Sequence, residues 1–274
     1  MSRLHRPSLT EALTVMRSRD CLKPHLREGL VWYNDYRLAL QPIDLSGYGN
    51  SGTLTNMDGT NWSPDGLSVN GTNENIIGPT LAELSVGNQI TVAFRAKVTR
   101  LLNYDRIFDV TGGDAKISTK DGGYGWSVDF RGTTSNIAMD TGALAAGYRS
   151  IVVTADADAS YSAIYADGIL MDDDTIYGPD ASWPTGATSW GASAAGSYGV
   201  GAILSYGAIW NRILAASEIK QLYDDSFALV RQRPRQVFTV AGEAPASSYY
   251  QLDWGQDTSF NVGVGAGRFG QGVI

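Results

Sequence analysis

The stretch GAILSYGAIWNRILAASEIKQLY, residues 201–223, decides the fold. Residues 201–210 are a β-rich run, the pair Asn211-Arg212 ends it, and Glu218, Ile219, Leu222 and Tyr223 follow at the spacing of one short amphipathic helix. A helix this short has no stability of its own in water, so the strand must belong to a larger apolar surface on which the helix lies. Neighbouring segments supply that surface. In residues 90–98, Ile90, Val92, Phe94, Ala96 and Val98 share one strand face, with Thr91, Ala93, Arg95 and Lys97 on the other. Residues 124–131 set Trp126, Val128 and Phe130 against Ser127, Asp129 and Arg131, and 150–156 set Ile151, Val153 and Ala155 against Val152, Thr154 and Asp156. One face is expected to be core and the other wetter. Asp167-Gly168 is the expected corner of a hairpin over 161–171, because both central residues of a type I′ turn take positive φ. Gly, Asn, Asp and Pro clusters at 56–59, 63–66, 111–114, 121–125 and 177–184 punctuate the pattern. Strands at this spacing mean an all-β, two-sheet antiparallel sandwich.

Composition narrows the class. With 32 glycines in 274 residues and only 18% charged residues, the chain suits many turns and a quiet surface. The lone Cys21 excludes an internal disulfide, so buried apolar area must hold the fold. Residues 1–20 hold no apolar stretch of signal-peptide length, and no run approaches the ~18 apolar residues of a membrane span. The expectation is a product of a reducing cytoplasm with no membrane partner. A net charge of −7 argues against nucleic acid as a partner of the main body. Residues 1–28 differ, with six basic side chains (positions 3, 6, 17, 19, 23 and 27) against three acidic ones (11, 20 and 28).

The chain divides into a basic N-terminal arm (1–28), a β body (29–225) and a C-terminal extension (226–274). In the arm, Ser8 and Glu11 form a capping box, and Leu9, Ala12, Leu13 and Met16 recur at helical spacing, which predicts a helix over 8–19. Its apolar stripe needs a surface, either the sandwich itself or a neighbour, so Leu9, Leu13 and Met16 are candidate assembly contacts. The extension brings Arg231, Arg233 and Arg235 around Pro234, a second candidate contact, and then a Gly-rich end.

Catalytic patterns are missing. Both histidines, His5 and His25, fall in the arm, so a His-based triad in the β body is excluded. The sequence has no H-E-x-x-H, no Cys/His cluster, no G-x-S-x-G and no phosphate-cradling G-x-x-x-x-G-K-[ST]. Asp129 stands on a strand face without an evident partner, and Asp172-Asp173-Asp174 reads as a solvated run. Of seven tryptophans most should be core; Trp183 and Trp190, in the loop-like SWPTGATSWGASAAGSYG, are the candidate exposed contacts for a glycan or a protein partner.

The quoted stretch also resembles a family signature. In laminin-G-like, concanavalin A-type jelly rolls of bacteria and phages, the last core strand reads like V-R-I-Y-N-R-x-L and the next turn like x-x-x-E-I-x-x-L-Y. Here the counterparts are Ala208-Ile209-Trp210-Asn211-Arg212-Ile213-Leu214, then Glu218-Ile219 and Leu222-Tyr223. GLVWYN (29–34), IDLSGYGNSGTL (43–54) and GLSVNGTNENI (66–76) resemble the start of that domain, and ITVAFRAKV (90–98) and YSAIYADGILM (161–171) two of its inner strands. The resemblance covers roughly residues 29–225 and implies a concanavalin A-like jelly roll with one short C-terminal helix.

It also implies calcium, held by a D-x-S-G-x-G-N-x-G loop and an acidic pair late in the last strand. Asp44, Ser46, Gly49 and Asn50 match the loop, so Asp44 and Asn50 are the candidate metal ligands; where the family carries the acidic pair this chain has Ser205 and Tyr206. The alternative for the loop is Asx-turn hydrogen bonding with no cation. Glycosidases of this fold carry E-x-D-x-x-E on one strand, which is absent here.

Two functions follow as expectations. SFALVRQRPRQVF resembles tails that follow this jelly roll in phage-encoded proteins, and with the basic arm and the missing catalytic set it implies a non-enzymatic virion protein, a capsid decoration or head/tail component. It would be present as a homo-oligomer or in several copies, fastened to other virion proteins through both ends, with host cell-surface glycans as a further contact. The alternative is a carbohydrate-binding lectin or adhesin module that uses loop aromatics, with a glycoside hydrolase third.

Overall fold

The computed structural model describes residues 23–38, 41–100, 105–111, 115–120, 125–130, 137–140, 147–159, 161–175, 185–193, 195, 197–230, 247–253 and 259–265. Their strands in chain order are β1 (Leu30–Asp35), β2 (Thr53–Thr55), β3 (Trp62–Ser63), β4 (Gly66–Asn70), β5 (Asn75–Thr80), β6 (Gln89–Arg100), β7 (Arg106–Val110), β8 (Ala115–Lys120) and β9 (Gly125–Phe130). There follow β10 (Ile137–Asp140), β11 (Tyr148–Asp156), β12 (Tyr161–Ala166), β13 (Ile169–Thr175), β14 (Ala187–Trp190), β15 (Gly201–Trp210), β16 (Ser247–Asp253) and β17 (Ser259–Gly265). Among the described residues one α-helix, α1, spans Ala216–Asp224, and Pro24–Arg27 and Gly59–Asn61 form short 3-10 turns.

Two antiparallel sheets face each other. The first runs β13-β12-β11-β6-β15-β4-β3, with β1 also paired to β15; the second runs β10-β9-β8-β7-β14-β5-β2; β16 and β17 form a separate hairpin. The alternating strands behave as their spacing requires. Val92 and Phe94 pair with Val153 and Ile151 across β6 and β11, and all four turn inward to a core shared with Trp32, Ile117, Val128 and Ile209. The hairpin corner also forms: Asp167 and Gly168 take φ of 52° and 79°, and Asp167 accepts the Ser150 amide proton at 3.0 Å. Asp129, unpartnered in the sequence, pairs with Lys116 on β8 at 2.8 Å.

The outer face of the first sheet is drier than the alternation suggested. A second apolar layer buries Tyr33, Ala93, Val152, Tyr206, Ala208 and Trp210 under Leu26, Ile219, Leu222 and Leu229. The cover comes from both flanks of the body, since residues 24–27 and 226–230 pack there together with α1. Arg27, buried, donates to the carbonyls of Leu229, Leu45 and Ser46. The packed unit therefore includes residues on either side of the 29–225 span.

Asn211-Arg212 explains why residues 201–223 carry so much information. Arg212 donates twice to Glu218, at 2.8 and 2.7 Å, and also to the carbonyls of Glu28 and His25. Glu218 in turn accepts the Ala215 amide proton at 2.8 Å, a free N–H at the start of α1. The Arg212 bonds hold the Glu218 carboxyl below its usual range. Trp210 Nε1 donates to Leu26 O at 2.7 Å, so strand, helix start and N-terminal turn form one joint.

The predicted helix over 8–19, with Leu9, Leu13 and Met16, lies outside the described residues, as do Trp183 and the cluster Arg231, Arg233 and Arg235.

Candidate functional site

Trp190, expected as an exposed contact, is fully buried. It stands in β14, a short strand held between β5 and β7, and its ring stacks on Trp32 at 5.0 Å and meets Phe108 edge-on at 4.9 Å. A central strand buries both faces, which removes Trp190 from any ligand. The loop that follows it does reach solvent, through a different residue.

After β14 the chain turns back on itself through a loop of which residues 191–193, 195 and 197–200 are described. Gly191 opens it at φ 91°, and Val200 N returns to Gly191 O at 2.9 Å. Ser193 and Ser197 brace it, because Ser197 N donates to Ser193 Oγ at 3.0 Å and Ser193 N to Ser197 O at 2.9 Å. At its tip Tyr198 adopts φ 54°, a left-handed conformation that costs a bulky residue roughly 1–2 kcal/mol. Tyr198 is 59% exposed, and the Arg106 guanidinium sits over its ring at 5.5 Å from the centroid. Arg106 is fixed as well: it bonds Asp109 Oδ1 at 2.9 Å, and its amide donates to Tyr198 O at 2.6 Å.

The turn after β4 closes against this loop. A Cβ on Gly71, at φ +73°, would fall 2.6 Å from Gly201 N, and one on Gly199 would fall 2.9 Å from the Gly71 carbonyl carbon, so only glycine lets the two backbones meet. Around the junction Glu74 accepts the Asn70 amide proton, Asn70 Oδ1 accepts that of Thr72, and Arg100 donates to Gly71 O. The result is an exposed aromatic ring on a braced backbone, with hydroxyl, amide, carboxylate and guanidinium groups in the loops around it. Such a set can stack on a sugar ring and bond to its hydroxyls.

The Asp44 loop is built differently. Asp44 is buried, and its Oδ1 accepts the amide protons of Tyr33 and Ser46, while its Oδ2 accepts Ser46 Oγ and the Asn50 amide. Four donors occupy the four lone-pair directions of the carboxylate. Asn50 Nδ2 donates to Val31 O at 3.3 Å. Among the described residues no group of three His, Cys, Asp or Glu side chains lies together as a cation site. The donor set at Asp44 and Asn50 does not fit calcium, which wants 6 to 8 oxygens turned toward it; hydrogen bonds and the positive φ of Gly47 and Gly49 hold the loop. A chelator is expected to leave the thermal midpoint unchanged, whereas a fall of several degrees would contradict this reading.

A family model for the concanavalin A-like lectin/glucanases superfamily matches residues 70–220. The chain belongs to that superfamily. Solved structures with the same fold include Trypanosoma rangeli sialidase, 18% identical with a TM-score of 0.57 over 72% of this chain, which spans about a third (32%) of the sialidase. Domain 4 of AbnA, a GH43 extracellular arabinanase from Geobacillus stearothermophilus solved with arabinotriose, is 16% identical at 0.57, covering 71% of this chain and 98% of that one. The binding domain of Paraclostridial Mosquitocidal Protein 1 is 18% identical at 0.58, covering 74% and 53%. At these identities the likeness shows the fold. No curated protein matches by sequence.

Proposed function

We propose that this superfamily member is a non-catalytic carbohydrate-binding module that holds a glycan at the Tyr198 loop. The carrying observation is the exposed Tyr198 ring, held at positive φ with a guanidinium over it. Backbone strain of this kind collects at binding sites, where the surrounding structure maintains it. Glu74 and Asp109, the acidic groups whose bonds define the site, hold a backbone amide and Arg106. That is a positioning task. The arabinotriose complex of the arabinanase domain supports the reading by analogy of fold. The candidate assembly contacts of the virion reading, Leu9, Leu13, Met16, Arg231, Arg233 and Arg235, lie outside the described residues, and the loop site favours the lectin alternative.

The test is a glycan array followed by titration of the best ligand. Tyr198→Asn is the variant of choice, since asparagine tolerates the left-handed backbone and the loop keeps its shape. Loss of at least about tenfold in affinity, the scale of a binding hot spot, is expected with an unchanged melting temperature. Wild-type affinity in Tyr198→Asn would refute the site.

A further inference from the structure

The outer face of the first sheet changes character beyond its apolar layer. Ala93 and Val152 lie in that layer; further along β6 and β11 the same face carries Arg95 and Ser150, then Lys97 and Tyr148. Tyr206 of β15 pairs with Arg95 from the other side, so one row of the ladder reads Ser150, Arg95, Tyr206. Arg95 is partly buried, and among the described residues its guanidinium has no ion pair and no hydrogen-bond acceptor; it lies 5.7 Å from the centre of the Tyr148 ring. The neighbouring arginines are matched, Arg37 by Asp35 and Arg149 by Asp167, whereas Lys97 has no ion pair among the described residues either. The exposed Asp65 is the acid whose charge reaches the Tyr148 phenol, and it does not pair with Arg95.

Hydroxyl groups surround this guanidinium. The Tyr148 hydroxyl is buried without a hydrogen-bond partner, because the nearby Ser205 turns its own hydroxyl to Asp65 O at 3.0 Å. Ser150 Oγ and Tyr206 Oη, on buried residues, stand 3.4 Å apart, too far for a good O–H···O bond. A guanidinium has only N–H donors and no lone pair, and each hydroxyl has a proton to turn outward, so the row is a set of donors in want of an acceptor. Donors withdrawn from water are costly when left unmet, and a positive spot on a chain of net charge −7 selects a negative acceptor. The planar fork of Arg95 matches the two oxygens of a carboxylate. We propose that this row binds a carboxylate, free or carried by an acidic sugar. Arg95 takes the carboxylate oxygens, the Tyr148 and Ser150 hydroxyls donate to them, and Lys97 adds charge. The site is separate from the Tyr198 loop and does not depend on it.

The full-length protein tests this by NMR titration at constant ionic strength, with sodium acetate or sodium glucuronate exchanged for sodium chloride and glucose as the neutral control. Both carboxylates, or glucuronate alone, should move the amide signals of Ser150 and Tyr206 along a saturable curve; the second result would place the carboxylate on a sugar. Arg95→Gln should weaken binding at least about tenfold, and Tyr148→Phe, which keeps the ring and loses one donor, about fivefold. Asp65→Asn should tighten it, and Tyr198→Asn should bind as the wild type does. No saturable shift with either carboxylate, an equal response to glucose, or wild-type affinity in a folded Arg95→Gln protein would overturn the proposal. Should Arg95→Gln not fold, Tyr148→Phe decides alone. Loss of the response in Tyr198→Asn would also overturn it, by tying the carboxylate to the loop.

Discussion

Replacing Asp35 with alanine is expected to destabilise the protein by about 3–5 kcal/mol, read as a lowered urea midpoint at constant m-value. The Asp35 side chain is wholly buried, and Arg37 grips it from two sides, Nε to Oδ1 at 2.9 Å and Nη2 to Oδ2 at 2.6 Å. Tyr33 donates its hydroxyl proton to Oδ2 at 2.8 Å; burial, and then the Asp35 charge, push that phenol's pKa well up. Arg37 reaches on to Ser226 O at 2.9 Å and lies 3.8 Å over the Phe227 ring. Burial alone would lower its pKa, but the bond and charge of Asp35 outweigh that and the net shift is upward. Removing Asp35 leaves a nearly buried guanidinium with no counter-charge and loosens the 226–230 turn, which rests on the sheet through Arg37. The pair should not count twice: Asp35→Leu with Arg37→Met, apolar on both sides, is expected to cost far less than Asp35→Ala alone. An Asp35→Ala variant that melts with the wild type would show that Arg37 finds water or another partner, and that the turn does not depend on the pair.

The first sheet was legible in the sequence because one of its faces obeys a simple rule. Ile90, Val92 and Phe94 alternate with Thr91, Ala93 and Arg95, and a period of two on a half-buried strand has one solution. The outer face was not legible. Its cover, Leu26 from before β1 and Leu229 from after α1, lies about two hundred residues apart along the chain and carries no local sign that the two meet on Trp210 and Tyr206. The site shows the same division. The segment around 182–199 was recognisable as a place where aromatics gather, but four residues of a central strand among Gly and Ser look like a loop, so Trp190 read as exposed. Tyr198 had one usable signal, its position between Ser197 and Gly199 at the end of a small-residue run, where a turn must form. For Asp44, the loop motif could be read, yet the bond that completes the carboxylate's shell comes from Tyr33 N on β1, eleven residues earlier.

Trp190→Ala separates packing from recognition. Its ring fills the centre of the sandwich between Trp32 and Phe108, and Gly207 on β15 comes so near that a Cβ there would lie 3.1 Å from the indole. Truncating a buried tryptophan to alanine removes its transfer energy and leaves a cavity that rigid sheets cannot close, for a cost of about 3–5 kcal/mol. Trp190→Phe, which keeps an aromatic in the stack, should lose clearly less. Because β14 leads directly into the 191–200 loop, both variants are to be assayed for glycan binding at a temperature where each is fully folded, with Tyr198→Asn alongside. The expected pattern is crossed: the Trp190 variants lose stability and keep affinity, while Tyr198→Asn keeps stability and loses affinity. The reverse pattern, in which Trp190→Ala stays as stable as the parent but no longer binds, would require the indole to leave the core and meet the ligand, and would move the site from the loop tip to the space between the sheets.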